Sequence, residues 1–136
     1  MYIAVQTELK TIKMKIRIKD NSIRLRLTKS DVAQLKSDGI VSAQTILSEK
    51  MIFRYKLSRN TDEKQIRATF SDNEIHVILS KEAARILTDT PEITVKGHQE
   101  NGEDGGLFLL IEKDLACLDE THEDQSDMYE NPKTEC

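Results

Sequence analysis

The chain has 136 residues, 38% hydrophobic and 32% charged, with no tryptophan and a formal net charge of −4. That suffices for one domain with a modest core, and it argues against a membrane-spanning helix, because the longest apolar run, Leu107 to Ile111, falls far short of the roughly 20 residues that a bilayer requires. The N-terminal MYIAVQTELKTIK lacks the continuous apolar core of an export signal, and Cys117 and Cys136 lie in or beside an acidic C-terminal stretch, so a cytoplasmic protein with free thiols is expected.

Residues 1–13 precede any regular pattern and are expected to lie outside the fold. From Met14 onward, Met14, Ile16 and Ile18 alternate with Lys15, Arg17 and Lys19, and Ile23, Leu25 and Leu27 alternate with Arg24 and Arg26. Period two predicts two half-buried strands, and Asp20-Asn21 between them supplies a hairpin turn, since both residue types tolerate left-handed backbone. Thr28 is placed to cap a short helix with Asp31 in its first turn, and Gly39 offers a left-handed stop. Strands follow over Ile40 to Leu47 and Ile52 to Arg59.

The pattern then recurs. RATFSDNEIHVILSKE, from Arg67, aligns without a gap on KIRIKDNSIRLRLTKS, from Lys15, at a shift of 52 residues. A second hairpin turns at Asp72-Asn73, a second helix is capped by Ser80 and stops before Pro91, and strands run over Ile93 to Lys96 and Leu107 to Lys113 around the polar, glycine-containing loop GHQENGEDGG. The expected fold class is α+β, a duplicated ββαββ unit (14–59 and 66–113) within a single domain over 14–115, forming one mainly antiparallel sheet or a partly closed barrel with two short helices. Residues 116–136 form an acidic tail.

MKIRIKDNSIRLRLT at Met14 to Thr28, EKDLACL at Glu112 to Leu118 and EDQSDMYENP at Glu123 to Pro132 together resemble a family of small bacterial proteins of unknown function, a resemblance that spans nearly the whole domain and implies no activity. The order of elements is also similar to the duplicated barrel of the triphosphate tunnel metalloenzymes, which implies a polar interior for triphosphate. Their Glu-x-Glu-x-Lys strand is replaced here by SIRLRL at Ser22 to Leu27, which puts metal-dependent hydrolysis in doubt.

Charge is the strongest functional lead. Residues 1–67 hold 15 Lys/Arg against 7 Asp/Glu, and residues 68–136 hold 5 against 17. Alternation places Lys15, Arg17, Lys19, Arg24, Arg26, Arg54, Lys56 and Arg67 in one register, read as a basic sheet face that requires counter-charges. An anionic ligand, an acidic protein surface or the chain's own tail fits that need. Phe53, Tyr55 and Phe70 fall in the apolar register, so the face is expected to lack a stacking platform, which argues against nucleic acid. In the tail, Cys117, Asp119, His122, Glu123, Asp124 and Asp127 bring metal-ligating groups together without any established ligand spacing. No catalytic nucleophile is defensible, and no cofactor is indicated. The reading is a non-catalytic binding or interaction module, with a phosphate- or polyphosphate-binding enzyme as the alternative.

Overall fold

The computed structural model describes residues 14–116, 126–130 and 132. The described strands are β1 (Lys15–Lys19), β2 (Ser22–Leu27), β3 (Ile40–Ser48), β4 (Met51–Arg59), β5 (Arg67–Ser71), β6 (Glu74–Leu79), β7 (Thr94–Gln99) and β8 (Leu107–Lys113), with helices α1 (Lys29–Asp38) and α2 (Lys81–Asp89). Neither helix is long and apolar enough to cross a membrane.

Local chemistry sets the ends of these elements. Asp20 (φ 50°) turns β1 into β2, and Asp72 (φ 51°) with Asn73 (φ 62°) turns β5 into β6. A reciprocal capping box starts α1: the Asp31 N–H donates to Thr28 Oγ1 at 3.2 Å and the Thr28 N–H to Asp31 Oδ2 at 2.9 Å. Gly39 ends the helix at φ 79°, a conformation that disfavours any side chain, and its N–H reaches the Leu35 carbonyl. In α2, Ser80 accepts from the Ala83 N–H, and the helix buries Ala83, Ala84 and Leu87.

The strands form two four-stranded sheets, the first ordered β1-β2-β8-β7 and the second β3-β4-β6-β5. The expected single sheet or partly closed barrel is therefore replaced by two open sheets. The cause lies in the helical connections. The chain leaves the first sheet after β2, passes through α1 and enters the second at β3; after β6 it returns through α2 to β7. Each hairpin pairs with strands from the other half of the chain: β2 lies parallel to β8 and β4 parallel to β6, while the flanking pairs are antiparallel. Matched bonds fasten both parallel pairs. The Phe108 N–H donates to Asn21 O at 2.9 Å as the Arg54 N–H does to Asn73 O at 3.0 Å, and the Asp114 N–H donates to Leu27 O as the Asn60 N–H does to Leu79 O.

The inner faces of both sheets and the buried sides of both helices share one core, in which Leu25, Leu27, Leu57, Leu79, Leu109 and Ile111 are essentially inaccessible together with Leu35 and Leu87 from the helices. Burying each such side chain contributes about 1.5 to 3 kcal/mol. Met14, immediately before β1, is also buried, and its carbonyl accepts a 2.8 Å bond from the Tyr55 hydroxyl. Along one seam the edge strands β5 and β7 meet. A Cβ on Gly97 would fall 2.9 Å from Ile66 Cβ, so only glycine permits the approach.

Candidate functional site

Strand alternation assigns the face of each predicted basic residue correctly, yet the eight do not share one sheet. Lys15, Arg17, Lys19, Arg24 and Arg26 stand on the first sheet, and Arg54, Lys56 and Arg67 on the second. The single basic surface is thus divided, because pairing between the halves separates β4 and β5 from β1 and β2.

On the outer face of the first sheet three rows run across the strands. Lys15 pairs with Arg26, which pairs with Glu112; Arg17 pairs with Arg24, then Leu110 and Lys96; Lys19 pairs with Ser22, then Phe108 and His98. Lys96 was absent from the expected set, although its place between Val95 and Gly97 in β7 carries the alternation that would have found it. The strand residues of this face thus include six cations and one carboxylate, and Asp114, just beyond β8, adds a second. Glu112 Oε2 accepts from Arg26 Nε at 2.8 Å and lies 3.6 Å from Arg24 Nε, while Asp114 meets Lys15 at 3.1 Å. Arg17 directly opposite Arg24 is a like-charge cross-strand pair, an arrangement that destabilises a hairpin by a few tenths of a kcal/mol or more, on the order of 0.2 to 1.

This face also carries an aromatic pair, which corrects the expectation that it has none. Phe108 on the central strand β8 and His98 on the edge strand β7 face each other, ring centroids 5.2 Å apart and tilted by 46°. The run LFLLIEK is apolar on both sides of its pleat, so periodicity alone does not reveal which of its residues face outward. Register resolves it: Leu109 and Ile111 are buried in the core, and Phe108 and Leu110 lie half-buried on the outer face.

The outer face of the second sheet is nearer to charge balance. Lys56 pairs with Glu74 at 3.1 Å and Arg67 with Glu63 at 2.7 Å. Between them His76 Nε2 lies 2.7 Å from Ser58 Oγ. Burial, then the Lys56 charge, hold the imidazole below its usual range, with Arg67 acting the same way and Glu74 opposing. A neutral histidine beside a serine is the geometry of a base and a nucleophile. Here Ser58 sits in β4, which is flanked by β3 and β6, so the surrounding N–H groups serve the sheet ladder rather than an oxyanion. The contact is a sheet-face hydrogen bond.

A groove beside α2 gathers Lys36, Arg59, Lys81 and Arg85 with Glu82 and Asp89. Much of its charge is satisfied internally: Lys36 meets Asp89 at 3.1 Å, Arg85 meets Glu82 at 2.7 Å, and Arg59 donates to two helix carbonyls.

Of the predicted metal-ligating set, Cys117, Asp119, His122, Glu123 and Asp124 lie outside the described residues, and Asp127 is exposed. Among the described residues no group of three or more His, Cys, Asp or Glu side chains gathers to hold a metal ion.

The model of the family of unknown function DUF7009 matches residues 14–133, and the chain belongs to that family. No curated protein and no solved structure matches it.

Proposed function

We propose that this chain is a non-catalytic, cytoplasmic binding module whose first sheet receives an anionic partner on its outer face. The observation that carries the reading is the charge count of that face among the described residues, six strand cations with Glu112 and Asp114 as the carboxylates beside them. A sheet has little intrinsic reason to collect like charges across its strands, and a bound polyanion offsets the repulsion. The second sheet, with Lys56 and Arg67 each held by a carboxylate, has less to offer such a partner.

The halves are copies of one ββαββ unit, which the recurrent sequence and the matched parallel pairings support. The acidic segment 116–136 competes for the face from within the chain, which the charge asymmetry supports.

The test is binding of inorganic polyphosphate by the full chain as ionic strength is raised. Affinity should fall steeply with salt and drop at least about tenfold in the double variant Arg24→Ala/Lys96→Ala, given what charge-assisted hydrogen bonds contribute. Removal of residues 117–136 should raise it. A folded wild type that ignores polyphosphate at low salt contradicts the proposal.

A further inference from the structure

The basic face carries more than charge. Its central strand β8 presents Phe108 and Leu110, both half-buried, as an apolar strip with cations on either side: Lys19 and Arg24 toward β1 and β2, Lys96 toward β7. A bare polyanion has no use for such a strip. A single-stranded nucleic acid needs both parts, a ring on which an unpaired base can stack and cations for the phosphates on either side of it.

We infer that the outer face of the first sheet takes a short stretch of single-stranded nucleic acid, with one base stacked on Phe108 beside His98 while Arg24 and Lys96 meet flanking phosphates. This rests on the reading of the face as an anion site and names the anion.

The second sheet supplies an internal comparison. Its rows are built by the same pairings, yet the place of Phe108 is taken by Arg54, that of Leu110 by Lys56 and that of His98 by Gln44. An apolar, aromatic centre is therefore not a requirement of the architecture, since the equivalent face is built without one. Neighbouring strands lie about 4.8 Å apart, so Arg24 and Lys96 stand about 10 Å from each other on the two sides of β8, with its apolar strip between them. Duplex is a poorer fit, because its base faces are already stacked and a flat sheet does not enter a groove. The chain's overall charge of −4 does not oppose the contact, since six cations stand on the described strands of this face.

The experiment is fluorescence anisotropy of the full chain with a short labelled oligouridylate, compared with the matched duplex, polyphosphate and polyglutamate. The single strand should bind most tightly. Phe108→Leu, which keeps apolar bulk without a π face, should weaken it about tenfold and leave polyphosphate binding unchanged, whereas Arg24→Ala should weaken both. If Phe108→Leu does not fold, His98→Ala on the exposed edge strand takes its place, with a smaller loss expected for the single strand alone. Equal binding of polyphosphate and oligouridylate with no effect of Phe108→Leu or His98→Ala overturns the nucleic-acid inference and leaves the anion site standing. Tighter binding of polyglutamate overturns it in favour of an acidic protein partner. A folded wild type that binds none of the four overturns both readings.

Discussion

Gln99 holds both backbone groups of Ala68: its Oε1 accepts from the Ala68 N–H at 2.7 Å, and its Nε2 donates to the Ala68 carbonyl at 2.9 Å. The carboxamide acts as one more residue of strand, capping the edge of β5 from the edge of β7 and joining the two sheets where Gly97 lets them approach.

Replacing Gln99 by Leu should leave both Ala68 groups without their partner and lower stability by about 1 to 3 kcal/mol in urea unfolding. Gly97→Ala should also destabilise, since the added methyl meets Ile66 Cβ just before β5. Unchanged unfolding midpoints for both variants would show that the seam contributes nothing.

Arg59 closes α1 from outside the helix, its Nη1 donating to Leu35 O at 2.6 Å and Lys36 O at 3.0 Å. Both carbonyls lie in the last turn, Leu35 O also accepting from the Gly39 N–H, and a cation there complements the helix dipole. Arg59→Met keeps the aliphatic stem and should cost about 1.5 to 3 kcal/mol in thermal or urea unfolding. Gly39→Ala should cost about 1 to 2 kcal/mol through its left-handed backbone, because the new Cβ would meet the Arg59 guanidinium only at ordinary contact distance.

How far these features were legible in the sequence depends on how local they are. Thr28, Ser80 and Gly39 were identifiable as helix ends, and the Asp-Asn pairs as turns, because caps and tight turns are set by the residues that form them. Alternation also placed Arg24 and Lys56 correctly on the outward sides of their strands. It did not reveal that these two stand on different sheets, since the parallel pairing of β2 with β8 joins residues more than 80 positions apart and leaves no local trace. Phe108 was hidden for a related reason: in a strand apolar on both faces, only the register with Ser22 and His98 shows which way it points.

The burial of His76 beside Lys56 should leave a signature in the pH dependence of stability. In the folded chain burial, Lys56 and Arg67 lower the His76 pKa against the opposing pull of Glu74, whereas in the unfolded chain it titrates near the usual value of about 6.5. Because the unfolded state takes up the proton first, this contribution is fully present above about pH 6.5 and is lost as pH falls from there through the lower folded value. The melting temperature of the wild type should therefore drop between pH 7.5 and 5.5 by more than that of His76→Gln. Parallel curves for the two proteins would show that His76 carries no such linkage.

The proposed role of the first sheet is tested most directly by mapping where an anion touches the folded chain. Backbone amide shifts followed by NMR during titration with tripolyphosphate, and separately with a short oligouridylate, should move along β1, β2, β7 and β8 at Arg17, Arg24, Lys96 and Phe108. The second sheet around Lys56 and His76, and the groove beside α2 around Lys81 and Arg85, should stay still. Shifts centred on either of those regions, or no shifts at all at low salt, would contradict the account.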